Sequence, residues 1–192
     1  MTIERRNLNN AENEVEMDSR MIKGYAAVFN TFYPMWEGYN ETIAKGAFEG
    51  CDMSDVVALF NHEDENLLAR TKDGIGTLIL KVDDKGLYFE FESPNTTIGN
   101  DVLENIKLQN IRGCSFAFTV SEQMFEDFED GTSLRTIQKI GKLYDVGPVV
   151  NPAYSSTEIQ AYKREIESRK KPINPPTPHE GYYLAQKFKY NL

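Results

Sequence analysis

Short runs of alternating apolar and polar residues, each closed by turn-forming residues, recur along most of this 192-residue chain. Side chains on a strand point to opposite faces in turn, so such runs bury one face in a sheet, whereas a helix needs apolar residues every three to four positions. The pattern therefore restricts the body of the chain to a mainly β fold. Strands are predicted over residues 22–30, 41–43, 56–61 and 74–82. Asp83-Asp84-Lys85-Gly86 has the composition of a hairpin turn and returns the chain through residues 87–92. Further strands are predicted over 115–121, 134–140 and 143–150, with an acidic turn at 126–131 and Pro148 confining the last strand to an edge or a bulge.

One stretch has a helical period. Over residues 97–109, Val102, Leu103 and Ile106 line one face, Asp101, Glu104 and Lys107 lie largely off it, and Thr96 and Thr97 can cap the free amides. A short helical turn is predicted at 45–48 and a charged helix near 157–171. The class is mainly β with flanking helices (α+β), and many strands around few helices suggest a barrel.

The ends differ in composition from the middle. Residues 1–20 are rich in Asn, Glu and Arg without apolar periodicity and read as a flexible arm. Residues 21–162 carry the strand and helix signals of one folded domain, and 40% hydrophobic residues with 11 Phe and 10 Tyr suffice for its core. Residues 163–192 form a charged, proline-rich tail: Pro172, Pro175, Pro176 and Pro178 impose an extended linker before an aromatic and basic stretch at 182–190 that reads as a docking peptide. A formal charge of −9 argues against a surface that binds nucleic acid by neutralising phosphates. No apolar run resembles a secretory signal or a membrane span, so a cytoplasmic protein without a membrane partner is expected, with Cys51 and Cys114 as free thiols.

Candidate chemistry is narrowly placed. Of two histidines, His179 lies in the proline-rich tail, which leaves His62 as the imidazole base of the folded body. A serine hydroxyl attacks a carbonyl only when a base takes its proton, and Ser115 sits in the alternating run Gly113-Cys114-Ser115-Phe116-Ala117-Phe118. Alternation puts Cys114, Phe116 and Phe118 on one face and Ser115 and Ala117 on the other, which disfavours Cys114 as a rival nucleophile. A histidine at a strand end and a serine on a strand are equally what structural residues look like, as in a non-catalytic structural β-barrel. No metal or cofactor is expected: a catalytic zinc wants several His or Cys ligands, and no spaced Asp loop for calcium is evident.

The order of short motifs carries more. Gly24-Tyr25-Ala26-Ala27-Val28-Phe29-Asn30, Glu41-Thr42-Ile43, Gly46-Ala47-Phe48, Val57-Ala58-Leu59-Phe60-Asn61-His62 and Leu68-Ala69-Arg70-Thr71 follow one another. After them come Gly86-Leu87, Thr96-Thr97 with Gly99-Asn100-Asp101, Ser115-Phe116-Ala117-Phe118, Leu143-Tyr144-Asp145-Val146, Pro152-Ala153-Tyr154 and Thr157. Over roughly residues 21–160 the series resembles the tailed-phage prohead protease family, which is related to the herpesvirus assemblins.

The resemblance implies an assemblin-like β-barrel and a serine endopeptidase of capsid maturation. It implies His62 as the base, Ser115 as the nucleophile and Asp145 as the acidic third member, although Glu63 and Asp64 stand closer to His62 in sequence. Ala117 and Ala69 replace usual glycines, and Gly147 stands where a serine often follows. By analogy with assemblins, oxyanion donors are expected around Val146-Gly147, and Arg112 is a further candidate beside the nucleophile. The implied substrates are the scaffold segment of the major capsid protein, a separate scaffold protein and the protease's own termini, cut in the host cytoplasm inside the assembling prohead. Self-association is a further expectation.

Overall fold

The computed structural model describes residues 2–8 and 19–150. They belong to a compact unit, Met1–Tyr154; the second unit, Ser155–Leu192, lies outside the described residues, as do the predicted helix near 157–171 and the docking peptide at 182–190. In chain order the elements are β1 (Glu4–Leu8), β2 (Met21–Val28), β3 (Tyr33–Trp36), β4 (Tyr39–Ile43), β5 (Asp55–Leu59), β6 (Leu67–Lys72), β7 (Ile75–Gly76), β8 (Ile79–Val82), β9 (Gly86–Glu92), α1 (Thr97–Lys107), β10 (Gly113–Asp127) and β11 (Ser133–Val149).

The strands make two sheets. The larger runs β1-β10-β11-β5-β6-β7, with β4 pairing a different part of β11 and β3 pairing β4; the smaller runs β2-β9-β8. The mainly β class holds, with one helix among the described residues. Among the described residues neither sheet closes on itself, so the expected barrel gives way there to two open sheets. One cluster of buried side chains spans both: Ile22, Phe89 and Phe91 from the small sheet, Phe116, Phe118, Ile137 and Val146 from the large one, and Val102, Leu103 and Ile106 from α1. Phe48 ties the parts together, with its ring 6.0 Å from Phe29 and 6.3 Å from Phe116.

Local chemistry accounts for most elements. Thr96 caps α1 by accepting from the Gly99 amide at 3.1 Å, as the sequence predicts. The Asp83 carboxylate accepts from the Lys85 and Gly86 amides at 2.8 and 3.1 Å and closes the β8–β9 hairpin. Residues 45–48 form successive turns and no helix, with Ala47 and Glu49 amides bonded three residues back.

Three further expectations change. The predicted strand at 74–82 is broken into β7 and β8, which lie in different sheets. The Arg70 carbonyl takes the Thr77 and Leu78 amides at 3.0 and 3.2 Å, and buried Leu78 turns into the core at the switch. The two strands predicted at 134–140 and 143–150 are one, β11, which passes through Gly141 without a break and pairs β4 by its first part and β5 by its last. Finally, Glu4–Leu8, within the segment read as an arm, pair antiparallel with β10 as β1.

Candidate active site

Three strands and one turn build the site. Ser115 is the third residue of β10, flanked in register by Asn7 of β1 on one side and Gly147 of β11 on the other. Asp145 of β11 stands opposite Ala117, so it shares the sheet face of Ser115, two residues along. As the alternation predicts, Cys114, Phe116 and Phe118 belong to the core cluster while Ser115 does not.

His62 arrives from the third strand. β5 runs parallel to β11, with Val57 and Ala58 beside Asp145 and Val146, so its end points toward Gly147. The chain then turns at Asn61 and His62, with φ of 57° and 60° and the Glu63 amide bonded to the Phe60 carbonyl at 3.3 Å. Positive φ at both central residues is the type I′ pattern, and it costs a residue with a Cβ about 1 kcal/mol. Three contacts hold the turn: the Asn61 amide donates to the Pro148 carbonyl at 3.1 Å, the Val150 amide donates to Asn61 Oδ1 at 3.0 Å, and the Phe60 amide donates to the Asn66 carbonyl at 3.1 Å. Pro148 stands beyond the last β5 pairing, where its missing N–H costs no ladder bond.

Gly147 explains how β5 comes so close. A Cβ there would lie 2.0 Å from the Leu59 carbonyl oxygen, so only glycine lets the end of β5 lie on β11. The departure noted at this position in the sequence is therefore a packing requirement of the turn that carries His62.

The geometry joins His62, Ser115 and Asp145. His62 Nδ1 is 2.6 Å from Asp145 Oδ1, and Nε2 is 2.5 Å from Ser115 Oγ. With an ionised carboxylate, Nδ1–H donates to Asp145 and leaves Nε2 as an acceptor facing the hydroxyl. Glu63 and Asp64 are exposed, and the carboxylate on the imidazole is that of Asp145, which is 6% exposed. Such an arrangement can move a proton from the serine to the imidazole and hold the resulting imidazolium.

Two features lay beyond the sequence reading. Ser115 is 0% exposed, and its Oγ also lies 2.9 Å from the main-chain carbonyl of Arg6 on β1, so one hydroxyl hydrogen has two acceptors. Behind β1 is a buried charge cluster: the Arg6 guanidinium is held by Glu41 of β4, and Glu41 is also bound by Arg135 of β11 at 2.7 Å. Isolated charges on short strands gave no signal for it. Arg112, a further candidate, is exposed and donates to the Gln109 carbonyl at 2.8 Å, at the end of the helix. Neither cysteine is in a disulfide, and burial pushes the Cys51 thiol up to about 11. Among the described residues no helix is long and apolar enough to cross a membrane.

Residues 6–172 match the family described as Caudovirus prohead serine protease, while no curated protein and no solved structure gives a match. The match takes in the turn that carries His62, the strand that carries Ser115 and the strand that carries Asp145. The chain thus belongs to the Caudovirus prohead serine protease family and is a serine peptidase of phage capsid maturation.

Proposed function

We propose that Ser115 is the nucleophile, His62 its general base and Asp145 the group that orients the imidazole. We further infer that the enzyme cuts the scaffold segment of the major capsid protein, or a separate scaffold protein, and its own termini, inside the assembling prohead. The observation that carries the reading is the pair of hydrogen bonds on His62, 2.6 Å to Asp145 and 2.5 Å to Ser115, made by residues 83 and 53 positions away in the chain.

In this mechanism Ser115 Oγ attacks the scissile carbonyl carbon as its proton passes to His62 Nε2. The imidazolium then gives that proton to the leaving amine, and water, activated by the same nitrogen, hydrolyses the acyl-enzyme. Asp145 fixes the tautomer and balances the charge that His62 acquires. Backbone amides near Val146 and Gly147 are the proposed oxyanion donors, since Gly147 lies directly across from the nucleophile. The assemblin relation belongs to the same reading, supported by the family match and by neighbouring strands that carry nucleophile and acid. Self-association follows as a proposal, and it predicts specific activity that rises with enzyme concentration.

The test is co-expression with the phage's own major capsid protein. Wild type shortens that protein at its N-terminal end, and Ser115→Ala, folded as judged by circular dichroism, leaves it full length. Equal shortening by both would refute the assignment.

A further inference from the structure

A serine nucleophile has to meet the carbonyl of a substrate, yet here it meets one from its own chain. Ser115 is 0% exposed, and the Arg6 carbonyl lies 2.9 Å from its Oγ. That carbonyl belongs to β1, which among the described residues is an edge strand of the large sheet and pairs with β10 from Glu4↔Phe118 to Leu8↔Cys114 without a register shift.

β1 is seated through charge: its described side chains, Glu4, Arg5 and Arg6, are all charged. Glu4 and Arg6, two apart, share one face and enter a matching pair. Arg6 is held by Glu41, which is 0% exposed, with its guanidinium carbon 5.7 Å from the centre of the Phe118 ring. Glu4 is held by Arg135, which is 2% exposed, through both terminal nitrogens at 2.8 and 2.9 Å. Glu41 and Arg135 also bind each other at 2.7 Å, so they remain a closed pair when β1 leaves. A strand that lies in a backbone ladder and presents a complementary pair of charges can be exchanged for another strand of the same chemistry.

We infer that β1 occupies the place of the substrate strand beside β10, and that the Glu41–Arg135 pair is a recognition site for an extended segment of acidic-x-basic sequence, of which Glu4-Arg5-Arg6 is the in-chain occupant. The inference rests on Ser115 being the nucleophile. In the closed state β1 shields the hydroxyl and competes with His62 for its hydrogen. Substrate enters by adding a strand in place of β1.

The test compares wild type, Glu4→Gln/Arg6→Gln in the full chain, and a chain lacking residues 1–8, each with its circular dichroism spectrum, for labelling by a fluorophosphonate. Both altered chains are expected to label at least tenfold faster than wild type. A synthetic peptide of residues 2–8 slows labelling of the shortened chain, and the peptide with Glu4 and Arg6 exchanged does not. Unchanged labelling in folded variants, or equal inhibition by the two peptides, would overturn the inference. Should the shortened chain not fold, the full-length double variant with added peptide decides alone. Binding of the fluorescent peptide to the Ser115→Ala form of the altered chains reads strand exchange without chemistry. Peptide binding with labelling that persists in Ser115→Ala would thus reject the nucleophile and retain the site.

Discussion

Gly147→Ala tests whether the close approach of β5 to β11 is what delivers His62. The added Cβ would start 2.0 Å from the Leu59 carbonyl oxygen, 3.0 Å from its carbon and 3.1 Å from its amide nitrogen. All three are backbone atoms, so no side chain can rotate away. Restoring ordinary contact at 3.4 Å requires a movement of about 1.4 Å, and the turn bearing His62 begins two residues beyond Leu59. The 2.5 Å contact between Nε2 and Ser115 Oγ cannot survive a shift of that size. Misplacement of a catalytic group by about 1 Å costs on the order of 100-fold in rate, and overpacking costs about 1–3 kcal/mol of stability. The assay is single-turnover cleavage of a scaffold peptide, with urea melts run in parallel. A fall in kcat of about 100-fold beside a modest loss of stability is expected. Wild-type kcat in a folded Gly147→Ala protein would refute the argument that this glycine positions the base.

Other perturbations act on single parts. Asp145→Asn loses about 10⁴-fold in kcat with little change in stability, because the amide favours the wrong imidazole tautomer; stopped-flow cleavage measures it. Glu41→Gln removes the buried carboxylate that both Arg6 and Arg135 bind, and lowers the unfolding free energy by about 3 kcal/mol in urea titration. Thr96→Ala removes the cap of α1 and costs about 1 kcal/mol in the same titration. The Asp52 carboxyl is held well below the usual range, first by the Ser54 hydroxyl and amide and then by Lys142. A folded-state pKa below the unfolded one contributes stability that is complete above about pH 4 and is lost as the pH falls through the folded value, so Asp52→Asn flattens the urea midpoint profile on the acid side.

How much of this was legible in the sequence depends on what each segment packs against. The β8–β9 hairpin, α1 and the first half of β10 were readable because their chemistry is local: an Asx turn, a threonine cap with a helical stripe, and a strict alternation of Cys114, Phe116 and Phe118. β1 was not, because Glu4 and Arg6 on it turn inward to meet charged partners and so leave no apolar pattern there. The division of residues 74–82 between two sheets turns on the Arg70 carbonyl, a backbone acceptor that no side-chain pattern marks, and Gly141 looked like a break in what is one strand.

The site divides the same way. His62 and Ser115 could be singled out from the scarcity of histidine and the pattern of one strand, while Asp145 came only from the order of family motifs, with Glu63 and Asp64 nearer in sequence. Parallel pairing of β5 with β11 decides among those carboxylates, and it depends on Gly147. The positive φ of His62 likewise follows from contacts with Pro148 and Val150, far along the chain.

The claim that proton transfer from Ser115 to His62 drives cleavage is tested most directly by locating the covalent adduct of a fluorophosphonate. The protein with β1 released is treated, digested and sequenced by mass spectrometry, beside the same protein carrying His62→Ala. The account predicts one modified residue, Ser115, and a loss of labelling of at least 100-fold without the imidazole. An adduct on another residue, or labelling of Ser115 that ignores the loss of His62, would contradict it.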